Sequence, residues 1–177
     1  MIIIASRRKH KETILREYPD AQIVDVTSKA PDEFVEFSPF FPHGHIPVPM
    51  MDEESECVEG IWQGLKVFEH EGIDVKTFRN NKMKGIKRTC KKHGKIEGHQ
   101  YGDTVLPYIE ARKKIYIPCY FQMLEQHCMP LLQRLKEMSE KGTLVLLDYD
   151  TNADEENPKK PLSHASLIKR YIETKMD

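Results

Sequence analysis

The chain has 177 residues, 39% of them hydrophobic and 31% charged, with a formal net charge of −1. That length and apolar content suffice for one soluble, globular domain with a sizeable core. The near-neutral balance excludes recruitment of nucleic acid or anionic membrane by a global field, so any such binding is local.

Residues 2–5, three isoleucines and an alanine, predict a short buried strand. This opening is too short for a signal-peptide core, and no run approaches the roughly 20 apolar residues that span a bilayer. Ser6 is placed to cap a helix over 7–18, which Pro19-Asp20 ends. A second β-branched strand follows at 22–26, stopped by Thr27-Ser28-Lys29. Strand, helix and strand in this order predict a parallel pair joined by a crossover helix. Residues 34–37 read as a third strand, and 38–52, with four prolines and a glycine, as a stiff loop.

A helix is expected over 54–69. Val58, Ile61, Leu65 and Phe68 form its apolar stripe, and Glu59, Gln63 and Lys66 a polar one beside it, with Trp62 on the border. Gly60 and Gly64 lie one turn apart. Each costs about 1 kcal/mol against alanine in a helix, so the pair implies close packing. Residues 74–102 are basic and irregular, with a helix expected at 84–93. Residues 103–141 are helical but interrupted: Pro107 suits a first turn, while Pro118 and Pro130 should end or kink helices. Residues 143–149 predict a strong strand, 150–161 a polar loop, and Ser163 caps a last helix reaching residue 175. The expected fold is α+β: one helix-rich domain, residues 1–177, around a small, partly parallel sheet.

The cysteines, Cys57, Cys90, Cys119 and Cys128, make no Cys-x-x-Cys pair, so reduced thiols and a cytoplasmic location are expected. His43-x-His45 has metal-ligand spacing but no third ligand nearby, and neither a metal nor a cofactor is expected. Glycine-rich dinucleotide and phosphate loops, the Gly-x-Ser-x-Gly elbow and the HExxH zinc motif are absent.

Several constellations remain. Glu59 in a wall with Trp62 could act on a water or a developing cation, or be one carboxylate of a solvated face. Phe40 and Phe41, bounded by prolines, could stack on a base or plug the core. Lys87 and Arg88 near Gly85 suit phosphate binding or simple solvation. Glu110 and Arg112 could pair internally or touch a ligand. Asp148 and Asn152, after the last strand, suit a catalytic or ribose-binding role as well as an ordinary polar turn.

Two segments taken together carry a resemblance. Phe37-Ser38-Pro39-Phe40-Phe41-Pro42 and Val58-Glu59-Gly60-Ile61-Trp62-Gln63-Gly64-Leu65-Lys66 are similar to the paired motifs of the NADAR (YbiA-like) family. Ser38, Phe40, Pro42, Val58, Glu59, Gln63 and Lys66 match; Pro39, Gly60 and Leu65 depart. The whole sequence also resembles a family of phage and bacterial proteins with the same two signatures.

The NADAR resemblance implies a YbiA-like fold. It also implies an N-glycosidase cleaving a ribose–nitrogen bond in a nucleotide-derived or ADP-ribosylated substrate, small molecule or nucleic-acid base. Glu59 and Asp148 would be catalytic. Ser38, Phe40, Phe41, Trp62, Gln63, Lys66, Lys87, Arg88, Arg112 and Asn152 would bind substrate. The departures keep two alternatives open: a non-catalytic ADP-ribose or nucleotide sensor, and a phage or defence protein-interaction module.

Overall fold

A computed structural model describes residues 1–176 and shows a mixed α+β fold. In chain order the elements are β1 (Ile2–Ser6), α1 (Lys11–Glu17), β2 (Gln22–Asp25), a 3-10 turn at Glu33–Phe37, β3 (Ile46–Pro47), β4 (Glu54–Ser55), α2 (Val58–Gly64) and β5 (Lys66–Phe68). A second 3-10 turn at Val75–Arg79 precedes α3 (Cys90–His93), β6 (Ile96–Tyr101), β7 (Thr104–Leu106) and α4 (Tyr108–Ala111). A π-helical turn at Arg112–Tyr116 leads into α5 (Ile117–His127), followed by α6 (Met129–Lys141), β8 (Leu144–Asp148) and α7 (His164–Lys175). The chain divides into two compact units, Met1–Ser38 with the segment from Leu124 onward, and Pro39–Met123; the boundary falls inside α5.

The first unit is built on a parallel sheet of order β1-β8-β2. β8 is central because its LVLLD sequence is apolar on both faces, as a strand covered on both sides requires. Ile2 and Gln22 both align with Leu144, and Ser6 aligns with Asp148. The expected parallel strands therefore exist but do not pair with each other: β8 is inserted between them. Ile14, Leu132, Leu135, Leu167, Ile168 and Ile172 are buried around the sheet.

The second unit holds the antiparallel sheet β5-β6-β7. Lys66 pairs with His99, and His99 with Leu106. α2 packs on the Val75–Arg79 turn, and its glycines explain how closely. A Cβ on Gly64 would lie 2.4 Å from Phe78 Cε1, and one on Gly60 would lie 2.6 Å from Ser55 Oγ and 3.1 Å from the Thr77 carbonyl.

Other expectations change. Helix α1 starts at Lys11, so Ser6 ends β1 and does not cap it. Residues 34–37 form the 3-10 turn, where the Asp32 side chain accepts from the Phe34 N–H. The helix expected over 54–69 is only Val58–Gly64, because Glu54–Ser55 and Lys66–Phe68 are drawn into strands. The helix expected at 84–93 shrinks to Cys90–His93, and the irregular basic stretch yields β6. Pro118 and Pro130 both sit in first turns, where proline lacks no intrahelical partner. Among the described residues no helix is long and apolar enough to cross a membrane.

Candidate functional site

α2 positions the polar stripe of the second unit. Cys57 caps it, with Sγ accepting from the Gly60 N–H at 3.3 Å, and burial pushes this thiol up to about 11. The Glu59 N–H donates to the Pro39 carbonyl at 2.8 Å, which ties the proline-rich loop to the first turn of the helix.

Glu59 is 8% exposed. One of its carboxylate oxygens accepts from Gln63 Nε2 at 2.8 Å, the one-turn spacing seen in the sequence. Gln63 Oε1 accepts from the Arg88 N–H at 2.9 Å, which fixes the orientation of the amide. Lys66 lies one residue beyond the cap, at the start of β5, and Nζ donates to the Arg88 carbonyl at 3.4 Å. Burial lowers the Lys66 pKa, while the nearby Glu59 carboxylate acts to raise it.

Trp62 is half-buried at the border of this stripe. Its ring stacks on His99 at 3.8 Å between centroids and meets the rings of Tyr108 and Tyr116 edge-on at 5.9 and 5.6 Å. Arg112 is 2% exposed; Nη2 donates to the Tyr108 hydroxyl at 2.7 Å, and the guanidinium lies 4.6 Å from the ring centroid. Glu59, Trp62, Gln63, Lys66 and Arg112 thus all belong to the second unit, as do the half-buried Phe40 and Phe41. Phe41 packs against His43 at 4.6 Å.

The structure gives other candidates different work. Arg88 is buried, and its guanidinium donates to the carbonyls of Gln63, Gly64, Lys66 and Gly72 at 2.6–3.3 Å. It holds the α2–β5 junction rather than reaching outward for phosphate. Lys87 beside it is exposed, as is Glu110 next to the buried Arg112.

Ser38, Asp148 and Asn152 belong to the first unit. Ser38 is buried, and its N–H closes the 3-10 turn on Val35. Asp148 is 4% exposed; Oδ2 accepts from Ser163 Oγ at 2.8 Å and the Ala165 N–H at 3.1 Å and lies 3.1 Å from His164 Nδ1. Oδ1 accepts from the Tyr149 N–H at 2.7 Å. The carboxylate thus secures the first turn of α7. Asn152 organises the loop before that helix, donating to the Asp154 carbonyl and accepting from the Asp154 N–H, both at 3.1 Å. His45 pairs with Glu54 at 2.8 Å. Among the described residues no three His, Cys, Asp or Glu side chains gather as a metal ion would need.

His99, Tyr108 and Tyr116 are the members of the Trp62 cluster that residue patterns did not reveal. The signal available for His99 is the hairpin: Gly102, at φ +59°, turns β6 into β7 and places His99 opposite both Lys66 and Leu106.

The model of a family of unknown function, DUF6939, matches residues 6–168, so the chain belongs to that family. No curated protein matches the chain.

Proposed function

We propose that this member of DUF6939 hydrolyses a ribosyl N-glycosidic bond in a nucleotide-derived or ADP-ribosylated substrate, with Glu59 as the carboxylate that faces the developing cation. The observation that carries the reading is the placement of Glu59: a buried carboxylate, fixed by Gln63, in the same wall as Trp62 and Lys66. Cleavage of such a bond passes through an oxocarbenium-like state, and a preorganised carboxylate beside it lowers the barrier. The Lys66 ammonium suits a phosphate of the substrate, and the Trp62, Tyr108 and Tyr116 rings suit its base or sugar. The similarity of Ser38–Pro42 and Val58–Lys66 to the NADAR motifs supports the same chemistry. Four unbridged cysteines support a cytoplasmic setting.

The test is Glu59→Gln, assayed for release of free base from ADP-ribosylated guanosine and from riboflavin-pathway nucleotides. The variant is expected to lose turnover by about a hundredfold or more; unchanged turnover removes Glu59 from the chemistry.

A second reading, a nucleotide or ADP-ribose sensor without turnover, is favoured by Arg88 and Asp148, both engaged by the protein's own groups. Calorimetric binding of ADP-ribose with no product after prolonged incubation selects it.

A further inference from the structure

His99 stands out in the second unit. Its side chain is buried, with 1% of the residue exposed, yet neither Nδ1 nor Nε2 has a hydrogen-bond partner. A neutral imidazole carries one donor and one acceptor. Folded proteins pair nearly all such buried groups, and an unmade pair is a standing loss of stability. The ring is covered by Trp62, which is itself only half-buried. Its strand neighbour across the ladder is Lys66. Burial and the Lys66 charge hold His99 neutral, pushing it down to about 3; the Trp62 carbonyl acts weakly in the opposite sense.

We infer that His99 is a ligand-recognition residue of the Glu59 site, and that Trp62 is its movable cover. A heteroaromatic ring bearing a carbonyl or amide group turns the Trp62 indole aside, takes its place against the imidazole, and pairs with a His99 nitrogen. Three facts converge on this. The unpaired nitrogens lie under a half-exposed ring and not deep in the core. The cover touches its other neighbours, Tyr108 and Tyr116, only edge-on. Lys66, adjacent to His99, offers a cation for the ligand's phosphate. The inference rests on the Glu59 wall being a nucleotide site but not on its being hydrolytic.

The experiment uses the full chain and guanosine 5′-monophosphate, whose base carries both a carbonyl and an N–H. Trp62 is the chain's one tryptophan, so its emission reports the cover directly. Wild-type protein is expected to change emission on titration and to shift the His99 side-chain nitrogen resonances. His99→Phe keeps the aromatic stack and removes both unpaired nitrogens. It is expected to melt about 2–4 °C higher and to bind the nucleotide about tenfold more weakly.

A lower melting temperature with unchanged affinity would make His99 a structural residue and overturn the proposal. So would wild-type protein whose Trp62 emission and His99 resonances ignore the nucleotide. Binding that depends on His99, without any Glu59-dependent turnover, sinks the hydrolase and leaves this inference standing.

Discussion

Arg88 and Gln63 are joined twice: the Arg88 N–H donates to Gln63 Oε1 at 2.9 Å, and the Arg88 guanidinium donates to the Gln63 carbonyl at 3.1 Å. The first bond orients the amide that holds Glu59, and the second fixes the end of the helix that carries it. Removing the guanidinium strands several buried carbonyls, each worth about 1–3 kcal/mol. Arg88→Met is therefore expected to lose about 3 kcal/mol or more in urea unfolding. Lys87→Ala, on the exposed side, should stay within about 0.5 kcal/mol of wild type. Equal effects of the two would contradict the structural role of Arg88.

Gly64→Ala tests the close approach of α2 to Phe78. Helix propensity alone would make this change stabilising by about 1 kcal/mol. The added Cβ instead meets the Phe78 ring and, at 3.1 Å, the Asp74 carbonyl. Overpacking of this kind costs about 1–3 kcal/mol, so the denaturation midpoint is expected to fall. A rise would show that Phe78 swings away freely.

The neutral His99 makes stability depend on pH. Its pKa is depressed from 6.5 to about 3 in the folded protein, chiefly by burial. Between those values the unfolded chain binds the extra proton, so stability falls as pH drops through that window. The slope from this group is about 1.4 kcal/mol per pH unit. Urea midpoints at pH 7 and pH 5 should therefore diverge more in wild type than in His99→Phe. The same divergence in both would assign the slope to other groups.

Asp148→Asn tests whether the carboxylate at the end of β8 is structural. The substitution keeps the size but removes the charge that faces His164 and weakens the bonds from Ser163 and the Ala165 N–H. Hydrogen bonds to charged groups contribute about 1.5–3 kcal/mol, and a loss of that order is expected by thermal melting at neutral pH. A variant that melts like wild type but loses turnover would return Asp148 to the chemistry.

Much of the frame was legible because it depends on local pattern. The β-branched run of β1, the apolar LVLLD of β8 and the Ser163 cap of α7 declare themselves within a few residues. Gly60 and Gly64 announced a close contact, and the structure supplies it in Ser55 and Phe78. Helix α2 was read too long because Leu65 and Phe68 continue an apolar helical spacing, whereas cross-strand pairing with β6 captures Lys66–Phe68. Arg88 was read as a phosphate ligand because nothing in Lys87-Arg88 distinguishes the exposed cation from the buried one. The distinction arises from carbonyls 16 to 25 residues away. His99 stayed hidden for the same reason: its partner Trp62 lies on a different element.

The central position of β8 has a consequence for how the chain is made. β1 and β2 leave the ribosome long before the strand that must separate them, so both emerge with unpaired edges. All of Pro39–Met123, with the β5-β6-β7 sheet, emerges in the interval. The nascent chain thus passes through a stage in which its middle can fold while its N-terminal strands wait. Products truncated before Leu144 are fixed at that stage and should depend on chaperones to stay dispersed.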